Sequence, residues 1–232
     1  MKTELRGRTA VVTGAAGTMG RAVVRALAAD GLRVVGIDVK AHQGGVVCDI
    51  SDPQAVARAV RGIGRVDVLV NNAGILSNNK SQDTAPEEWR RVLAANLDGA
   101  FYLSRAVIPG MKQRRWGRIV NTCSLAAKTG GLTAGTAYSA SKGALTSLTF
   151  SLARELAPFG VTVNGISPAY VNTPMVTEQL SAAQRKAVLA QIPVGRFCEP
   201  EEFAHVVRFL VHPLAGFITG EIVDLNGGVV MD

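Results

Sequence analysis

The chain has 232 residues, 47% of them hydrophobic, with 25 glycines and a formal net charge of +7. This composition suits one well-buried domain and excludes a disordered or collagen-like chain. No apolar run approaches the ~20 residues that span a bilayer, and Met1–Arg8 lacks the apolar stretch of a signal peptide, so a cytoplasmic protein with no membrane partner is expected.

Strand patterns fall at Thr9–Thr13, Arg33–Ile37, Val46–Cys48, Val66–Val70, Arg118–Cys123, Thr162–Ile166 and Ile222–Leu225. Helical patterns fill Met19–Ala29, Pro53–Ile63, Glu87–Gln113, Ala137–Ala157 and Glu199–Val211. Their alternation predicts an α/β fold, a doubly wound parallel sheet of about seven strands with helices on both faces. Without a repeat or a linker, residues 1–232 read as a single domain. The 39–45 stretch is too short for a crossover helix, so that flank of the sheet is expected to be thinly covered.

The first strand runs into Thr13-Gly-Ala-Ala-Gly-Thr-Met-Gly20 and then a helix. Glycines at a strand-to-helix turn let the backbone approach a pyrophosphate, whose charge the helix N-terminus stabilises. The turn residues Gly14, Gly17, Thr18, Met19 and Gly20 are therefore candidate cofactor contacts. Asp38 ends the second strand, where a carboxylate accepts the adenosine ribose hydroxyls and repels a 2′-phosphate. NAD is accordingly expected over NADP, with Lys40 the nearest basic residue.

Tyr138 and Lys142 stand one helical turn apart in a predicted helix, on one face. A free phenol titrates near ~10, and a cation ~4 Å away at an effective dielectric of 20 supplies about 4 kcal/mol, or about three pKa units. Lys142 is thus expected to lower the Tyr138 pKa and make it a general acid/base for ketone and alcohol chemistry.

Other residues point less sharply. Cys48, Cys123 and Cys198 form no pair-spaced motif, which fits a reducing compartment. His42, His205 and His212 lack metal-ligand spacing, so no metal is expected. The densest basic group is Lys112, Arg114, Arg115 and Arg118. At a helix end it complements the dipole, and no nucleic-acid partner is expected.

Taken in order, Thr13–Gly20, Asp49, Asn71-Asn-Ala-Gly74, Asn96, Ser124, Tyr138/Lys142, Pro168–Pro174 and Ile218-Thr-Gly220…Asn226-Gly-Gly228 resemble the short-chain dehydrogenase/reductase family, in its compact Rossmann-like form. The resemblance covers essentially the whole chain. It implies that Asp49 and Ile50 flank the adenine and that Asn72, Ala73 and Gly74 lie beside the ribose. Pro168, Val171 and Thr173 would hold the nicotinamide. It further implies Tyr138 as proton donor, Ser124 as a hydrogen bond to the reacting oxygen, Lys142 also on the nicotinamide ribose, and Asn96 holding a water of the proton relay.

Three positions depart from the family pattern. Thr18 replaces the middle glycine, Pro168-Ala169 replaces Pro-Gly, and the Ser124-to-Tyr138 spacing is one residue longer, so the loop Lys128–Gly135 is expected to bulge. Residues 174–196 resemble the family's substrate lid and carry an amphipathic pattern through Met175, Val176, Leu180, Val188, Leu189 and Ile192.

These readings favour an NAD-linked dehydrogenase of a secondary alcohol, polyol or sugar. A 3-oxoacyl-[acyl-carrier-protein] reductase comes second, with Arg115 placed for an acidic carrier but Phe159 at a second basic position. A non-catalytic dinucleotide-binding regulator is third. Apolar residues Phe101, Tyr102, Val107, Leu148 and Phe150 on the two long helices, with the last strand, imply a homotetramer of the family kind.

Overall fold

Seven parallel strands form one sheet in the order β3-β2-β1-β4-β5-β6-β7. The computed structural model describes residues 5–174 and 181–231. The strands are β1 Thr9–Thr13, β2 Arg33–Asp38, β3 Val46–Val47, β4 Val68–Asn71, β5 Gly117–Thr122, β6 Val161–Pro168 and β7 Ile222–Leu225. Between them run α1 Thr18–Ala29, α2 Pro53–Ile63, α3 Pro86–Leu93, α4 Gly99–Arg114, the single turn α5 Ala126–Thr129, α6 Thr136–Leu156, α7 Ala182–Leu189 and α8 Pro200–Val211.

Strand alternation sorts the apolar residues to two faces. Val11, Leu69, Ile119 and Val163 pack under α2, α4 and α6 through Val56, Leu103, Met111 and Leu156. Ala10, Val12, Val68 and Ile166 point the other way, onto Val23 and Leu27 of α1 and Phe203 and Leu210 of α8. Local chemistry sets the ends. The Asp52 side chain accepts the Gln54 N–H ahead of Pro53, and Gly64, with φ 80°, ends α2. The order reverses between β1 and β4, which opens a crevice at the carboxyl ends of the strands.

Some expected element bounds shift. The pattern at Glu87–Gln113 is not one helix: a π-helical turn at Ala94–Asp98 separates α3 from α4. The third strand shrinks to two residues, and the 39–45 segment is a loop that folds His42 back onto Gly36 and Gly45. Val39 and Val47 stay more than half exposed beside a groove of about 620 Å³ against α2. The lid yields one helix, α7, begun by a Ser181–Gln184 capping box; Met175, Val176 and Leu180 lie outside the described residues.

Of the apolar helix residues, Val107 is core and Tyr102 and Leu148 pack against it, while Phe101 and Phe150 remain exposed. Among the described residues no helix is long and apolar enough to cross a membrane, and no group of His, Cys, Asp and Glu could hold a metal ion.

Candidate active site

The turn after β1 brings backbone segments into contact that any side chain would separate. A Cβ on Gly20 would lie 2.1 Å from the Gly14 oxygen, and one on Gly14, where φ is 65°, would meet Ala73 Cα at 3.0 Å. Gly17 is the N-cap of α1, with no side chain capping the helix. Its φ of −76° needs no glycine, and Thr18 is the first residue of α1. The turn ends at the α1 N-terminus, which no side chain caps, a cradle that fits a pyrophosphate, while Met19 packs partly buried against the core.

Neighbouring strand ends are tied to this turn. The Thr13 hydroxyl accepts the N–H groups of Asn72 and Ala73, each at 2.9 Å, and the Asn72 amide donates to Thr13 O. Asp38 reaches back to the same turn: one carboxylate oxygen accepts the Ala16 N–H and the other the Lys40 N–H, both at 2.9 Å. Arg21 donates to the Ala16 carbonyl. Asp49 is exposed and accepts from the Ser51 N–H and hydroxyl. Ile50 turns inward into the core, where it fills the space that a Cβ on Gly99 would occupy.

Across the crevice, β5 delivers Ser124 and α6 delivers Tyr138 and Lys142. Ser124 and Tyr138 line one cavity of about 420 Å³. Lys142 is buried and donates to Thr122 O at 2.6 Å, and its Nζ lies 5.7 Å from the centre of the Tyr138 ring. A Cβ on Gly74 would be 3.5 Å from that Nζ, so the Asn72–Gly74 segment and the ammonium border the same space.

Asn96 is fully engaged in the π turn. Its Oδ1 accepts the Ile75 N–H at 2.8 Å, and its Nδ2 donates to Ile75 O and to Ser141 Oγ. The side chain therefore fixes the 75–76 segment against α6. Pro168 closes β6, Val171 is buried in a bridge to Cys198, and Thr173 follows it, two residues before the undescribed stretch.

Electrostatics corrects one expectation. Burial pushes the Tyr138 phenol up from its ordinary value, and the neighbouring Ser124 hydroxyl offsets part of that rise. The physical reason is burial, which also takes the Lys142 ammonium down to about 8, so that the amine has lost its charge before the phenol titrates.

Sequence reasoning missed most of the cavity wall. Leu76 and Asn78 form one side, Gly131–Ala134 a second, and Tyr170 and Gln184 a third. The expected bulge between Ser124 and Tyr138 is present: Gly130 and Gly131 take φ of 72° and 84°, and Leu132 stands half exposed. Thr133 meets the Tyr170 hydroxyl at 3.4 Å across the mouth. Their sequence signals were positional: Leu76 and Asn78 follow the Asn-Asn-Ala-Gly motif, Gly131–Ala134 fall between Ser124 and Tyr138, Tyr170 lies in Pro168–Pro174, and Gln184 lies in the expected lid.

A protein-family model described as enoyl-(acyl carrier protein) reductase matches residues 14–230. The chain belongs to the short-chain dehydrogenase/reductase family. As a short-chain dehydrogenase/reductase it is an oxidoreductase acting on hydroxyl or keto groups, with a crevice for a nicotinamide dinucleotide. It is 39% identical to a 3-oxoacyl-[acyl-carrier-protein] reductase of Vibrio cholerae, over 98% of this chain and 99% of that one.

Two solved structures share the fold over nearly all of both chains. One, described as an NAD(P)-dependent gluconate 5-dehydrogenase from Beutenbergia cavernae with bound NADP, superimposes with a TM-score of 0.90 at 36% identity, covering 97% of each. The other, a 3-oxoacyl-[acyl-carrier protein] reductase from Brucella melitensis with bound NAD, gives 0.91 at 32% identity, covering 98% of this chain and 92% of that one. The curated relative's name favours the carrier-protein reductase reading, which the sequence alone placed second.

Proposed function

We propose that this chain reduces 3-oxoacyl thioesters to 3-hydroxyacyl thioesters. The observation that carries the reading is the cavity: Ser124 and Tyr138 line it together, and among the described residues none of its lining side chains is charged. Leu76, Leu125 and Leu132 offer apolar surface, while Asn78, Thr133 and Gln184 offer neutral hydrogen-bonding groups. That suits a neutral keto thioester and gives a sugar acid's carboxylate no counter-ion.

The reduced nicotinamide, when bound, supplies the hydride that adds to C3. The chain's own residues handle the oxygen. Tyr138 donates its proton to the carbonyl oxygen as charge develops there, and Ser124 hydrogen-bonds the same oxygen. Burial that favours the neutral phenol suits a proton donor. Lys142, fixed by Thr122 O, would hold the nicotinamide ribose when the cofactor is bound. Asn96 fixes Ile75 and Ser141, and with them the wall and helix that aim these groups.

An acidic carrier is also accommodated. Phe159 stands where a second basic residue was wanted, yet the Lys112 ammonium lies 4.1 Å over its ring, and Arg115 donates to the adjacent Pro158 carbonyl. Two cations thus stand beside that point, Lys112 also lying 3.9 Å from a Glu155 carboxylate oxygen. For the cofactor we favour NADH, because the Asp38 carboxylate is held at the ribose end of the crevice. That same preference supports the second reading, an alcohol or polyol dehydrogenase.

The deciding experiment follows nicotinamide absorbance with acetoacetyl-CoA and with polyols, using NADH and NADPH in turn. The proposal requires thioester reduction to exceed polyol oxidation in kcat/KM. The reverse order would install the second reading.

A further inference from the structure

The segment 75–81 leaves the cofactor crevice at Ile75, forms one cavity wall through Leu76 and Asn78, and then runs alongside 131–136. Backbone bonds join the two: the Gly135 N–H donates to Ser77 O at 2.7 Å and the Thr136 N–H to Asn79 O at 3.1 Å. The approach is close enough that a Cβ on Gly135 would lie 2.3 Å from Asn79 O. From outside, Glu88 at the start of α3 accepts the Ser77 hydroxyl at 2.5 Å and the Asn79 amide at 2.7 Å.

At the end of this segment Lys80 turns its ammonium onto the loop that carries the extra residue. Its Nζ donates to Gly131 O at 3.2 Å and to Ala134 O at 2.7 Å. Those carbonyls bracket Leu132 and Thr133, which face Tyr170 across the mouth of the cavity. Two consecutive left-handed glycines make the loop easy to bend, and one cation gathers its open ends.

We propose that Lys80 is a positioning residue for substrate binding: it pins the loop Gly131–Ala134 as a fixed wall, with Glu88 steadying the strap from which it acts. Lys80 touches neither the crevice nor the phenol. Its effect is therefore confined to the fit of the substrate, and the choice of assay substrate rests on the thioester reading above.

The test compares the full-length protein with Lys80→Met and Lys80→Arg. Amide hydrogen exchange at Gly135 and Thr136, which needs no substrate, should quicken about ten-fold in Lys80→Met and return toward wild type in Lys80→Arg. With acetoacetyl-CoA, KM should rise about three- to ten-fold, the size of one ordinary hydrogen bond, while kcat and the cofactor dissociation constant stay unchanged. Unchanged exchange in Lys80→Met overturns the proposal. So does a parallel loss of KM, kcat and cofactor binding, which marks a general structural role. Wild-type enzyme inert toward acetoacetyl-CoA would sink the thioester reading alone, and exchange would then decide for Lys80.

Discussion

Lys142 donates its ammonium to the main-chain oxygen of Thr122 at 2.6 Å, so the buried cation hangs from the end of β5 and not from the phenol one turn away. Burial holds it at about 8 against a model-peptide value of 10.5. Between those values the unfolded chain binds the extra proton, so stability rises with pH across that window. The burial cost is fully present below about pH 8 and relieved by 10.5. Lys142→Met lacks this titration. Its stability relative to wild type should therefore fall between pH 7.5 and 10.5, by up to about 3 kcal/mol. Urea unfolding at the two pH values checks this; a constant difference would refute it.

Tyr138→Phe removes the proton donor and leaves the crevice intact. Turnover should drop roughly 10²–10⁴-fold with nicotinamide binding retained. Single-turnover absorbance and cofactor fluorescence titration separate the two, and near-normal turnover would remove Tyr138 from the chemistry.

Asp38→Asn keeps an acceptor for Ala16 or Lys40 and removes the charge. The ratio of kcat/KM for NADPH over NADH should rise at least about ten-fold, the worth of one relieved like-charge contact in a partly solvated site. An unchanged ratio would mean that Asp38 braces the turn and does nothing to select the dinucleotide.

Gly20→Ala forces a methyl into the space occupied by the Gly14 carbonyl. The turn must shift, and the cofactor dissociation constant should rise at least about ten-fold while the sheet stays folded. Calorimetric titration with circular dichroism as the control tests it.

Phe101 and Phe150 are large apolar side chains left exposed on α4 and α6, 40% and 49% accessible. We expect them to be covered by further copies in a homotetramer. Sedimentation velocity should show wild type as the tetramer and Phe150→Asp as a smaller species. A monomeric wild type would end that expectation.

The strands were legible because β-branched apolar residues at β1 and β6 are buried at every position. The glycine turn, Ser124, Tyr138 and Lys142 were legible because their spacing reflects local backbone demands. The π turn was not: Asn96 is drawn toward Ile75 and Ser141 by contacts distant in sequence, and the apolar period runs through it uninterrupted. The pKa direction at Tyr138 escaped for a related reason, since one-turn spacing says which face two side chains share and nothing of how far burial disfavours their charged forms. Lys80 was invisible, because a lysine that binds carbonyls fifty residues away leaves no pattern.

Val39 and Lys40 face solvent at the rim that carries Asp38. Exchanges at these two positions meet little packing, whereas His42 in the same segment folds onto Gly36 and Gly45. A dinucleotide preference written in Asp38 would therefore sit on a thinly covered edge of the sheet, apart from the helix that carries Tyr138 and Lys142.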